Sequence, residues 1–310
     1  MTAVIETNGL TKRYRDLIAV NGLSFSVEEG EIFGFLGPNG AGKTTTILML
    51  LGLTEPTAGQ VRVCGFDPAL QPIEVKKRVG YLPENPGFYD DLSGAENLLY
   101  IARLNRIPEK EAQNRIERLL EQVGLASDGK RNVKEYSRGM KQRLGIAEVL
   151  IKEPQVLILD EPTLGLDPDG AARILDLITA VSHERGHAVL LSSHMLHQVQ
   201  QMCNRVGIIV KGKMIAQGAV DQLGSAIFRA HQWNFLLEVA GRTDGIESEL
   251  RALPGVAAIE PRSRGWFLRC TKDVRPEVVS LVLQKGLSLL QLRTEDTTLE
   301  EIYLKYFREA

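Results

Sequence analysis

Cysteine is scarce in this chain. The three present, Cys64, Cys203 and Cys270, are isolated, with no paired spacing to suggest a zinc knuckle, a haem attachment or a disulfide framework. They read as buried or idle thiols in a reducing compartment. Long apolar runs are also missing: no stretch approaches the roughly 18 to 20 consecutive apolar residues that cross a bilayer. If the chain works on membrane cargo, another chain supplies the channel. Charge of one sign is lacking too, since 37 Lys and Arg face 39 Asp and Glu for a formal net charge of -2. That balance carries no electrostatic footprint for nucleic acid. Met1-Thr2-Ala3-Val4-Ile5-Glu6 has no basic region leading into an apolar run, so no secretory leader is read there and a cytoplasmic setting is expected. Internal repeats and low-complexity tracts are absent as well.

What is present begins with a length of 310 residues, enough for one large domain and one small one, at an ordinary 44% hydrophobic and 25% charged composition. Short strands are expected at Ile5-Glu6-Thr7 and Phe25-Ser26-Val27, broken by glycine and charged turns, followed by a strand over Glu31–Leu36. That strand runs into a glycine loop, and Thr44–Leu53 then reads as a helix launched from it and stopped at Glu55-Pro56. From about Leu92 to Gly124 apolar residues recur at helical spacing, a helical insertion within about 85–150. Apolar strands at Val156–Leu159, Ala188–Leu191 and Val206–Val210, separated by helical segments, predict a mostly parallel sheet flanked by helices. Past Gly218 the pattern changes. Strands at Phe235–Val239, Val256–Ile259, Trp266–Cys270 and Leu287–Leu292, with helices at Ile246–Leu253 and Val278–Gln284, give a β-α-β-β-α-β order and predict a small ferredoxin-like α+β module. Thr298-Leu299-Glu300-Glu301 is a capping box that opens a final helix with an apolar face through Ile302, Tyr303, Tyr306 and Phe307, read as packing.

The chemistry sits in four ordered segments. Gly37-Pro38-Asn39-Gly40-Ala41-Gly42-Lys43-Thr44 fits G-x-x-x-x-G-K-[ST], with Thr45 following. Its glycines allow backbone amides to converge on phosphate oxygens, and the following helix adds positive polarity at the same spot. Lys43 is expected to reach the β- and γ-phosphates and Thr44 to offer its hydroxyl to Mg2+. Asp160 ends an apolar strand, placed to hold Mg2+ through water, and Glu161 follows as the residue that orients and deprotonates an attacking water. Tyr136-Ser137-Arg138-Gly139-Met140 and Ser192-Ser193-His194 complete the set. The substrate expected is ATP, with Mg2+.

From about Ala3 to Ala219 the chain resembles the ATP-binding cassette of ABC transporters, a P-loop NTPase fold with an antiparallel N-terminal subdomain and a helical insertion. The resemblance implies that Tyr14 stacks on adenine, with Val20 of the following segment also at the nucleotide, and that Ser137 and the Gly139 amide contact the γ-phosphate held by a partner cassette. It implies that Asp167, in Leu164-Gly165-Leu166-Asp167, ties hydrolysis to the dimer interface, and that His194 contacts the γ-phosphate and holds Glu161 and water in line. Glu84, in Tyr81-Leu82-Pro83-Glu84-Asn85, stands where many cassettes have glutamine and is expected to meet Mg2+ or a water. Arg138 replaces a usual glycine, Met140 a usual glutamine and Leu164 a frequent serine. The departures at Glu84, Arg138 and Met140 resemble the export-type branch, whose cassettes serve separate membrane subunits. His183, His187, His197 and His231 show no ligand spacing and are read as surface or packing residues.

The expected protein is therefore a cassette over 1–220 and an accessory or regulatory domain over 230–310. It forms a dimer around two Mg-ATP on the cytoplasmic face of a membrane and drives a permease that it contacts around Glu84–Leu99. Two alternatives stay open: a soluble cassette ATPase acting on DNA repair or translation, and an ATP-gated clamp without turnover. The first class carries paired cassettes, long coiled coils or basic arms, none of which is seen here. Intact Glu161 speaks against the second.

Overall fold

A computed structural model describes residues 2–195, 199, 202–220, 233–241, 245–262 and 265–294. The chain divides into two compact units between Val220 and Asp221. In the first, strands β1 (Ala3–Tyr14) and β2 (Leu17–Glu28) form a long antiparallel hairpin, and β4 (Ala58–Val63) pairs on the other side of β1. The short strands expected here are pieces of two 12-residue strands. Gly9 and Gly22 do not end them: both take left-handed φ (60° and 67°), and the register shifts beside Gly9, between Thr7 and Leu10, so the glycines are absorbed in an irregular ladder.

The second sheet has the order β5-β6-β7-β3-β8-β9, where β3 is Ile32–Leu36, β5 Val79–Leu82, β6 Val156–Asp160, β7 Ala188–Ser193, β8 Arg205–Val210 and β9 Lys213–Ala219. All neighbours are parallel except β8 and β9. Strands β3, β6 and β7 are buried at every residue, as uninterrupted apolar runs covered on both faces must be. Phe25 of β2 stacks on Phe33 and Phe35 of β3 at 5.6 and 5.4 Å between ring centres, which ties the two sheets into one core.

Helix α1 (Lys43–Leu50) leaves β3 through the glycine loop. It stops short of Leu53 because Gly52 turns left-handed (φ 63°) and the Leu53 amide folds back to the Leu48 carbonyl at 2.9 Å. After α2 (Pro72–Arg78), the helical segment comprises α3 (Gly94–Leu104), α4 (Glu109–Gln122) and α5 (Arg138–Leu150). A capping box between Ser93 and Glu96 fixes the start of α3. Helix α6 (Pro168–Arg185) follows β6 and returns the chain to β7.

The second unit, by itself, is β10 (Trp233–Ala240), α7 (Ile246–Ala252), β11 (Val256–Arg262), β12 (Gly265–Cys270), α8 (Arg275–Gln284) and β13 (Ser288–Thr294). Its strands form one antiparallel sheet in the order β11-β12-β10-β13. This is the β-α-β-β-α-β succession of ferredoxin-like modules. Phe235, Leu237, Trp266 and Leu268 fill its core with Ile246, Leu250, Val278 and Val282 from the helices. The tail with the expected capping box at Thr298, together with His197 and His231, lies outside the described residues. Cys203 and Cys270 are buried, Cys64 is half-buried, and all three are free thiols.

Candidate functional site

The loop between β3 and α1 is built around glycines, two of which leave no room for a side chain. Gly42 has φ 104°, and a Cβ on it would run into the Ala19 carbonyl, while one on Gly37 would strike the Ile209 carbonyl. The loop is thus wedged between the hairpin and β8, and its open side faces a cleft of about 660 Å3. Tyr14, Leu17, Ile18, Ala19, Pro38, Asn39, Gly40, Gly42, Lys43, Thr44, Thr45, Glu84, Glu161 and Lys211 line this cleft.

Lys43 is the first residue of α1 and points back into the loop. Its Nζ donates to the Gly37 carbonyl at 2.6 Å and the Pro38 carbonyl at 3.2 Å, and lies 3.1 Å from Glu161 Oε1. The last contact is an ion pair and not a directed hydrogen bond, since Oε1 receives none. Both side chains are almost wholly buried, at 6% and 7% exposed. The other Glu161 oxygen, Oε2, lies 2.8 Å from His194 Nδ1 and accepts the His194 backbone N–H at 3.3 Å. Lys43, Glu161 and His194 therefore form one line of contacts.

Glu161 has a left-handed backbone (φ 49°), strained for a residue with a side chain and costing about 1–3 kcal/mol. The strain is held by its neighbours. The Glu161 amide donates to the Ser192 carbonyl at 3.2 Å and to Ser192 Oγ at 3.0 Å, and the Glu161 carbonyl accepts from Leu164 at 3.0 Å. Ser192 Oγ in turn donates to Asp160 Oδ1 at 2.5 Å, and Thr44 Oγ1 donates to Asp160 Oδ2 at 3.0 Å. One serine thus holds the Asp160 carboxylate and the Glu161 backbone, a task the sequence reading did not assign. Beside Asp160, burial pushes the Tyr81 hydroxyl up to about 12, with the Asp160 and Glu84 charges adding to the rise, so Tyr81 stays protonated.

Most of the expected site residues meet here, with exceptions. Tyr14, 45% exposed, lies at the cleft with Lys12 Nζ 4.9 Å above its ring. Val20 needs correction as a cleft residue. It is fully buried behind the loop, its Cγ2 3.3 Å from a Cβ placed on Gly42, and Leu17, Ile18 and Ala19 present themselves instead. Ala41 and Gly37 shape the loop from within. Glu84 stands exposed on the rim, where its Oε1 accepts a 3.5 Å contact from Asn85. Lys211, on the β8–β9 turn, was not anticipated; that turn leans on the loop through Gly212, whose amide donates to the Ala41 carbonyl at 2.9 Å.

Ser137, Gly139 and Asp167 are not cleft residues. Ser137 caps α5, accepting from the Met140 amide at 3.3 Å, and Asp167 caps α6, accepting from the Gly170 amide at 3.0 Å. His183 is exposed, and His187 is buried with its carbonyl accepting from Ser182.

The ABC transporter family profile matches residues 20–164. The chain is 36% identical over 315 residues to the Bacillus subtilis ABC transporter ATP-binding protein YhcH, covering 100% of this chain and 98% of that one. It is 45% identical over 223 residues to the bacitracin transport ATP-binding protein BcrA of Bacillus licheniformis, covering 72% of each. A solved ATP-binding subunit of an ABC transporter superposes with TM-score 0.66 at 31% identity, covering 73% of this chain and 93% of that one. This chain belongs to the ABC transporter ATP-binding proteins. It is an ATP-binding, ATP-hydrolysing subunit of such a transporter, and its first unit has the fold of the ABC cassette. Among the described residues no helix is long and apolar enough to cross a membrane.

Proposed function

We propose that the cleft holds ATP with its phosphates on the Gly37–Thr45 loop, and that Glu161 is the general base for its hydrolysis. The observation carrying this reading is the contact line Lys43–Glu161–His194 beside the Thr44–Asp160 pair. Amides of the loop and Lys43 bind phosphate oxygens. His194, on Glu161 Oε2, holds the carboxylate at one oxygen while the other rests against Lys43.

Thr44 Oγ1 and Asp160 Oδ2 are two hard oxygen donors 3.0 Å apart, which suits Mg2+. Among the described residues no group of three or more His, Cys, Asp or Glu gathers for a metal, so the remaining ligands would be phosphates and water. When bound, Mg2+ neutralises phosphate charge.

We further read residues 1–220 as the cassette domain and 230–310 as an accessory domain. Two copies close with Ser137, Gly139 and Asp167 at the interface; none of the three lines the cleft, and Leu166, next to Asp167, packs beside Gly139. The partner is an integral-membrane permease, met around Glu84–Leu99 on the cytoplasmic face. Export is the direction favoured, on the departures at Arg138, Met140 and Glu84 and on the similarity to BcrA, a bacitracin transport protein.

Steady-state hydrolysis tests the reading directly: wild type turns ATP over, whereas Glu161→Gln retains ATP and loses turnover by about 10^2-fold or more. Equal rates in the two proteins would sink the assigned base. Affinity capture of the ATP-loaded Glu161→Gln protein from native membranes should bring down a polytopic membrane protein. Ribosomes or repair proteins in its place would count against the transporter partner.

A further inference from the structure

The signature segment and the loop after Glu161 touch within one chain. Arg138 is the first residue of α5, and its guanidinium lies against the Cα of Gly165: a Cβ built there would stand 3.0 Å from Nη2 and closer still to Nη1 and Cζ. Gly165 is left-handed (φ 70°), so the contact requires both its bare backbone and its turn. One residue on, Leu166 Cδ2 would lie 3.9 Å from a Cβ on Gly139. The Gly165–Leu166 backbone is thereby flanked by two consecutive signature residues.

This loop is anchored at both ends. Leu164 donates to the Glu161 carbonyl at 3.0 Å and Leu166 to the Thr163 carbonyl at 3.2 Å, a pair of linked turns leading from Glu161. At the far end the Asp167 carboxylate caps α6 at Gly170. A planar guanidinium can rest on a flat backbone surface as it rests on an aromatic face. A glycine at 138, the usual residue of the family, has nothing to reach with.

We propose that Arg138 is a positioning residue: it braces the Leu164–Asp167 loop, and through it Glu161, against the start of α5 in the same chain. The inference rests on the reading of Glu161 as the base and of Ser137 and Gly139 as facing the partner's nucleotide. Movement of α5 as it meets that nucleotide is then relayed to Glu161 of its own chain, so the two sites of a dimer report to each other through one arginine.

The test is a double-mutant cycle on the full-length protein, measuring kcat, KM and the Hill coefficient for ATP. Arg138→Gly removes the brace. Gly165→Asn keeps the left-handed turn, which asparagine tolerates, but fills the space the guanidinium uses. Each single variant should lose kcat by about ten-fold or more with KM little changed. Both should lower the Hill coefficient toward one, and the double variant should be no worse than either single one, because both break one contact. Arg138→Lys should recover little, lacking a planar face. Losses that multiply in the double variant, or an unchanged kcat in Arg138→Gly, would overturn the brace. Full rescue by lysine would do so too, pointing to a bare charge on the partner's phosphate. Glu161→Gln serves as control: turnover at the wild-type rate there refutes the underlying reading, whereas its loss together with a multiplicative cycle refutes the brace alone.

Discussion

Truncating Lys43 should destabilise the cassette before any nucleotide is added, and replacing Glu161 as well should restore most of the loss. Lys43 Nζ and Glu161 Oε1 are 3.1 Å apart with 6% and 7% of their side chains exposed, so neither charge is screened by solvent. Removing one member of a buried pair costs about 3–5 kcal/mol, mostly because the other charge is left uncompensated. The lower end applies here, because His194 still holds Oε2. For a domain of 150–250 residues each kcal/mol moves Tm by about 2–4 °C, so Lys43→Ala should melt about 6–12 °C lower. The double variant Lys43→Ala/Glu161→Gln has no stranded charge and should regain more than half of that. Calorimetry without nucleotide is the assay, following the transition that responds to these substitutions, since a chain of two units need not melt in one step. A loss under about 2 °C in Lys43→Ala, or a double variant no better than the single one, would refute the reasoning that the pair's burial sets its energetic weight.

Ser192→Ala should lower both kcat and stability, the latter by about 1–3 kcal/mol, because the hydroxyl serves Asp160 Oδ1 and the Glu161 amide at once; wild-type kinetics in that variant would show that the two carboxylates are placed without it. Gly42→Ala should abolish binding of a fluorescent ATP analogue, since φ 104° and the Ala19 carbonyl both oppose a side chain; binding retained within a few-fold contradicts the wedged loop. Glu148, on α5, has its carboxyl raised by burial to about 7 from an ordinary 4.5, with Lys152 pulling partly the other way. A folded-state value above the unfolded one means this stabilisation is complete below about pH 4.5 and is lost as pH rises through 7. Glu148→Gln should therefore match wild type near pH 4 and exceed it by about 2–3 kcal/mol at pH 8, read as Tm against pH; parallel curves would refute the burial effect.

How much of this could be read from the sequence depends on how local each feature is. The strand Ile32–Leu36, the glycine loop and α1 are contiguous, and each enforces the next, so the strand-loop-helix that lines the cleft was legible down to Thr45. The second unit was legible for a similar reason: its six elements alternate cleanly and are punctuated by Gly245, Gly255 and Gly286, each left-handed. Val20 was misplaced because the hairpin turns at Arg15-Asp16, with Arg15 at φ 51°, which sets Leu17 and Ile18 exposed at the hairpin tip while Val20 is drawn into the core. Lys211 had a signal that went unread. Val210-Lys211-Gly212-Lys213 is a two-residue turn between strands, with both central residues left-handed (47° and 78°), and it marks β9 as well. Ser192 and the meeting of Arg138 with Gly165 had no local signal. Both depend on which strands adjoin and where α5 crosses, facts of packing that no window of sequence carries.

If the site works as proposed, the contacts of Lys43 explain how the same residues bind phosphate and withhold catalysis until it arrives. An ammonium already buried against a carboxylate and two carbonyls has lost its water, so a phosphate oxygen taking over from Glu161 Oε1 adds little new desolvation. The exchange frees that oxygen while His194 still holds the other, and the strained backbone, pinned by Ser192, keeps the carboxylate from swinging away. On the roles proposed for them, Glu161 is released for water only when phosphate has claimed Lys43. Arginine would serve this exchange less well, because a planar fork grips a carboxylate with two bonds where the lysine's compact charge can pass from one oxygen to another.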